Sequence, residues 1–218
     1  MKRILFAALA MTLLCTGIAW ATSSTLIWIP ATDIQPAGVG HLDYDVYVPA
    51  TGNMLSDVGL LYGSGTVEYG VDYLFQNGLV GNAVRLNAKA LLTNETSTAP
   101  KAVFGVFDVG GGASNQIYIL GSKNYDFGRL HLGYSIGNSS VLGSDNAMLL
   151  AGYDKQVSEK WWVCADFQSG RSAFGALNVG VAYSLSPSTS YIIGYDFFNN
   201  SDNAGFPNAI TGQLDMNF

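Results

Sequence analysis

Apolar and polar residues alternate with a period of two along this chain, from about residue 40 to the last residue. In HLDYDVYV, Leu42, Tyr44, Val46 and Val48 share a face, and His41, Asp43 and Asp45 take the other. In TVEYGVDYLF, Val67, Tyr69, Val71, Tyr73 and Phe75 oppose Glu68, Gly70 and Asp72. The same pattern sets Val84, Leu86, Ala88 and Ala90 against Arg85, Asn87 and Lys89. It sets Leu130, Leu132, Tyr134 and Ile136 against Arg129, His131, Gly133 and Ser135. It recurs in ALNVGVAYSL, in YIIGYDFF and in the closing AITGQLDMNF. A period of two predicts strands rather than helices.

Weaker alternation near 56–63, 101–109, 115–122, 146–155 and 160–168 brings the expected total to about twelve strands of roughly 8–11 residues. Turn-rich stretches such as TGN, GSGT, QNG, VGGGASN and SPST separate them. The six prolines fall before or between the strands, as hydrogen-bonded strand interiors require. The prediction is one domain of antiparallel strands.

Alternation alone fits two architectures. In a soluble sandwich the apolar face is the core. In a membrane barrel it meets lipid and the polar face lines a lumen. Three features favour the barrel. The polar face carries small residues, as in Asn178-Gly180-Ala182-Ser184, which suit a confined lumen. Aromatic residues cluster at strand ends: Tyr153 and Trp161 bracket one turn, Tyr183 and Tyr191 bracket another, and Phe167 and Phe197 precede the opposite loops. Two interfacial girdles would produce that spacing. An even strand count closes the sheet and leaves no edge, a requirement in lipid.

The last strand adds a fourth feature. Ile210, Leu214, Met216 and Phe218 lie in one register, and the strand ends on a large aromatic residue. It resembles the terminal strand of Gram-negative outer-membrane barrels, in which an alternating strand ending in Phe is read by the barrel assembly machinery. The likeness is close over about ten residues and general over the rest of the chain. It implies an all-β, closed up-and-down antiparallel transmembrane barrel in the outer membrane. Leu214, Met216 and Phe218 are then its assembly signal, and membrane lipid and the assembly machinery are its partners.

The other end agrees. MKRILFAALAMTLLCTGIAWA has a basic start, an apolar stretch and Ala19-Trp20-Ala21, the layout of a cleaved secretory signal over residues 1–21. Leu14, before Cys15, is too large for a lipoprotein cleavage site. Cleavage removes Lys2 and Arg3 and moves the formal charge from −6 to −8. That acidity argues against a nucleic-acid partner. Cys164 is then the single cysteine, so no internal disulfide forms. The barrel is expected over 39–218. Residues 22–38 precede it, with Leu26, Trp28 and Pro30 suited to burial: a lumen plug, a packed segment at one mouth, or a disordered lead-in.

Function must be read from the lumen. Barrels of about eight strands are filled by side chains and those of 16–18 hold an aqueous channel, so twelve permits a narrow pore. Parity assigns Asp43, Asp45, Glu68, Asp72, Asp108, Asp166, Asp196 and Asp215 inward, against Arg85, Lys89, Arg129 and His131. An acidic lumen favours cations. The expectation is a porin-like channel for small solutes or ions with a mild cation preference. The alternative is a closed barrel plugged by ion pairs, with Asp43 and Asp45 as suitable partners for Arg85 and Lys89.

Enzyme chemistry is not expected. His131 and Ser135 lie roughly 13 Å apart along one strand, and His41 and Asp43 roughly 6.6 Å apart with no serine beside them. Two histidines and one mature cysteine form no metal-ligand motif, and VGGGASN reads as a hairpin turn rather than a phosphate loop. No cofactor is expected.

Overall fold

A computed structural model describes residues 24–75, 83–204 and 207–218. The expected signal segment, 1–21, lies outside the described residues. Twelve strands form a closed barrel in which each pairs with its sequence neighbours and the last pairs with the first. They are β1 Gly40–Pro49, β2 Leu55–Gly63, β3 Val67–Phe75 and β4 Val84–Thr93. Then come β5 Lys101–Val109, β6 Gln116–Tyr125, β7 Gly128–Ile136 and β8 Ala147–Gln156. The sheet is completed by β9 Trp161–Gln168, β10 Ala176–Ser186, β11 Thr189–Phe198 and β12 Ala209–Asn217. All pairings are antiparallel, so this is the all-β, closed up-and-down barrel that the alternation predicts.

Closure rests on β1 and β12, in register from His41↔Asn217 to Pro49↔Ala209. Phe218 extends that ladder: its N–H donates to the Gly40 carbonyl, and its carbonyl accepts from the Gly40 N–H, both at 2.9 Å. A side chain at Gly40 would collide with the Phe218 ring, 2.6 Å from where its Cβ would stand.

The barrel is apolar outside and polar inside, as a membrane barrel requires. Ile210 is 54% exposed and its neighbour Thr211 is fully buried. Outward aromatics gather at both rims. At the end that holds Gly40 and Asn217 (the near end), the Trp161 and Tyr183 rings lie 4.8 Å apart. At the far end, Tyr73 packs on Phe75 and Tyr195 on Phe197. Four near-end turns are tight, at 64–66, 126–127, 157–160 and 187–188, and a fifth connection there spans 94–100; far-end loops include 137–146 and 169–175.

Several strands depart from simple apolar–polar alternation. In β8, Met148 and Leu150 point inward and are buried. In β5 a bulge lets Val106 pair with Ala88 and Val109 with Leu86, and Asp108 adopts φ 51° there. The extra residue turns Asp108 into the lumen.

Candidate functional site

The lumen holds the segment 24–38, and its placement decides what the barrel can do. It enters from the near end. The Gly38 N–H donates to the Gly63 carbonyl, and the Gln35 carbonyl accepts from the Gly65 N–H. Its other limb folds against it as a small hairpin: the Ala31 N–H donates to the Ser24 carbonyl and the Leu26 N–H to the Ile29 carbonyl. The tip, Ile27-Trp28, reaches the far half of the barrel. Of the three options the sequence leaves open for this segment, the structure shows the lumen plug.

Two kinds of contact hold the plug. The first is polar. Asp166 on β9 accepts three tip amides on one oxygen, from Ile27 and Trp28 at 2.8 Å and Ile29 at 3.2 Å. Its other oxygen accepts from Asn178 at 2.6 Å. A turn aims consecutive N–H groups at one point, and a buried carboxylate meets all of them there. Gln213 donates to the Ile27 carbonyl at 2.9 Å. Lys89 donates to the carbonyls of Ser24 and Ala31 at 2.9 and 3.1 Å. Glu68 accepts from the Gln35 N–H at 2.8 Å and from the Ser24 hydroxyl.

The second kind is steric. A Cβ on Gly152 would stand 2.5 Å from Leu26 Cδ1, and one on Gly180 would stand 2.8 Å from Ile27 Cδ1. The inward glycines are notches that receive the apolar side chains of the plug. Leu26, Ile27 and Ile29 are at most 1% exposed. At the tip, the Trp28 ring lies 5.4 Å from Tyr47, 5.5 Å from Phe198 and 5.8 Å from Phe174, and its Nε1 donates to the Phe174 carbonyl.

Near the entrance, Asp33 bridges Arg129 at 2.8 Å and Lys101 at 3.2 Å. Arg129 also pairs with Asp154 at 2.8 Å, which His131 and Trp162 engage in turn. Burial alone would raise the Asp33 carboxyl. The Arg129 hydrogen bond and the charges of Arg129, Lys101 and Lys89 instead hold it well below the ordinary carboxylate range. A depressed folded-state pKa stabilises the docked plug at every pH above the ordinary aspartate value, and the contribution fades as pH falls through the depressed value. Amides around Asp33 should therefore keep their hydrogen-exchange protection from about pH 8 down to about pH 4.5 and lose it only in stronger acid. Protection already lost between those two values would show that the Asp33 clamp does not hold the segment.

The plug is off-centre and leaves space on both sides. Between it and the β1–β5 wall lies a cavity of about 190 Å³ reaching toward the far end, bordered by Asp43, Asp45, Asp57, Asp72, Trp28 and Phe174. On the other side a space of about 500 Å³ opens at the near end, bordered by Asp33, Arg129, Asp154 and Asn124. Thr25 and Asp215 border both spaces. His41 borders the far-end cavity, its Nε2 3.5 Å from Asp215 and its Nδ1 2.7 Å from Asn217.

All twelve charged and histidine positions assigned inward by parity lie on the lumen wall. Eight of them border the far-end cavity: Asp43, Asp45, Glu68, Asp72, Arg85, Lys89, Asp108 and Asp215. Arg129 borders the near-end space, and His131, Asp166 and Asp196 are buried. The pairing of Arg85 and Lys89 with Asp43 and Asp45, suggested as part of the alternative reading, does not form. Arg85 pairs with the bulge residue Asp108 at 2.7 Å, and Lys89 with its cross-strand neighbour Glu68 at 3.4 Å. Asp72 hydrogen-bonds Asn87. Asp43, Asp45 and Asp57 are left without a lysine or arginine at ion-pair distance among the described residues. Their carboxylate oxygens converge to within 4.8 Å.

Sequence reasoning missed Asp57, Asp33 and Asp154. Asp57 was recoverable: with Val58, Leu60 and Tyr62 outward, the residues between them turn inward. The inward Leu61 blurs that signal.

No family model and no curated protein sequence matches the chain. It is similar to a solved structure described as "Unveiling the Mechanism Behind the in-meso Crystallization of Membrane Proteins", at 15% identity and a TM-score of 0.48, covering 83% of each chain.

Proposed function

We propose that this protein is an outer-membrane, porin-like barrel that passes small cations through a narrow acidic passage beside its built-in plug. Its role is passive and non-enzymatic. The observation that carries the reading is the pair of spaces flanking the plug, which share Thr25 and Asp215 as wall residues and the far-end one of which holds carboxylates in excess of bases. Surplus carboxylate at a constriction raises the local concentration of cations and repels anions. Phe218, Met216 and Leu214 would serve assembly, and the export signal 1–21 would deliver the chain to the periplasm.

A second reading, a permanently closed barrel with a structural or interaction role, draws on the density of bonds between plug and wall. Single-channel recording of the refolded chain in planar bilayers under a salt gradient separates the two. Small ohmic steps with a cation-selective reversal potential are expected. Neutralising Asp43, Asp45, Asp57 and Asp72 together to asparagine should bring the cation-to-anion permeability ratio close to unity with the barrel still folded. Silence from inserted, folded protein would remove the channel reading and leave the closed barrel.

A further inference from the structure

We infer that the far-end cavity is a binding site for a small organic ammonium ion, which gives the cation passage proposed above a specific substrate class. Three independent observations converge on this space.

The first is charge without a counter-ion. Asp43 and Asp45 on β1 and Asp57 on β2 bring their oxygens within 4.8 Å of one another. The bases of the same cavity are engaged elsewhere, Arg85 by Asp108, Lys89 by Glu68 and two plug carbonyls, and His41 by Asp215 and Asn217. Three carboxylates held this close favour a positive ligand between them.

The second is an aromatic wall. Trp28, Tyr47, Phe107 and Phe174 border the cavity. Trp28 meets Tyr47 and Phe174, and Phe174 meets Phe107 at 5.7 Å, so the rings form one continuous surface. The Tyr47 hydroxyl lies 3.5 Å from Asp45, which places the rings directly beside the acids. A calcium ion takes six to eight oxygen ligands and gains little from ring faces. An organic ammonium has both a charge for the carboxylates and C–H surface for the rings.

The third is Tyr118 on β6, which borders the cavity beside Gly105 of β5 and is 5% exposed. Its hydroxyl makes no hydrogen bond to protein among the described residues. A polar ligand in the cavity gains there a hydrogen bond that the fold leaves unmade. The volume suits a small molecule rather than a bare ion: about 190 Å³ is roughly six times the 30 Å³ share of a liquid water.

Equilibrium dialysis with labelled choline against the folded full chain in detergent micelles tests this. The expected result is one choline bound per barrel, with affinity reduced about tenfold or more in Asp45→Asn/Asp57→Asn. Phe107→Leu should weaken choline roughly twofold to thirtyfold, the range of a cation–π contact, and leave calcium binding unchanged. Retained heat-modifiable migration shows that each variant is folded. Wild-type protein that binds no choline overturns the inference. So does choline binding that both variants leave intact, or calcium binding that choline does not compete. Choline binding without conductance would leave the site standing and remove the channel. Conductance without choline binding would do the reverse.

Discussion

Replacing Asp166 with alanine will release the plug and raise the single-channel conductance severalfold. The reason is the concentration of bonds on that one carboxylate. The amides of Ile27, Trp28 and Ile29 converge on a single Asp166 oxygen, deep in the barrel, where no other described acceptor reaches them. Losing the acceptor leaves three buried N–H groups, each worth roughly 1–3 kcal/mol when unsatisfied. Together they cost roughly 3–9 kcal/mol, which offsets most of the roughly 1.5–3 kcal/mol that burial of each apolar tip side chain returns, so the tip opens toward solvent. Asp166→Asn keeps one oxygen for the amides and should lie between wild type and alanine.

Conductance and hydrogen exchange report different parts of this. Exchange at amides 27–29 follows docking of the tip, and conductance follows the width of the lumen. Fast exchange with unchanged conductance would mean that the tip leaves but other groups keep the lumen closed. Slow exchange in Asp166→Ala would contradict the anchoring role outright.

The second large effect comes from filling a notch. Gly152→Leu places a side chain where Leu26 now sits, since even a Cβ there would stand 2.5 Å from Leu26 Cδ1 and 3.3 Å from the His131 Cβ. Overpacking of this kind costs roughly 1–3 kcal/mol in a closed core, and here the mobile partner is the plug rather than the sheet. The segment 24–38 should become open to added protease while the barrel keeps its heat-modifiable migration. Gly121→Leu, on the outward face of β6, is the control. Its Cβ would meet only backbone carbonyls, at 3.6 and 3.8 Å, and no plug atom. Equal protease sensitivity in the two variants would show that the glycine notch does not hold the plug.

Both predictions concern the segment about which the sequence was least decisive. Leu26, Trp28 and Pro30 mark it as wanting burial, but nothing local says against what. Its partners are Asp166, Lys89, Glu68 and Gln213, on four different strands. The inward glycines were legible as a sign of a confined lumen. That two of them are shaped to Leu26 and Ile27 was not, because a notch exists only once its neighbouring strands are paired. Asp108 faces inward, but through a bulge that alternation cannot announce. The pairing of Arg85 with it, rather than with Asp43 or Asp45, follows from that bulge.

Local sequence specifies most of the barrel: about twelve antiparallel strands in chain order, and which residues of each strand share a face. These follow from a period of two and from turn chemistry, both written in neighbouring residues. The state of the lumen is set by contacts across the barrel. Whether a carboxylate caps the plug depends on partners far apart in the chain, 139 positions for Ile27 and Asp166, and whether one pairs with a base depends on which strands the closed sheet sets side by side. The wall of this protein is local information, and its passage is not.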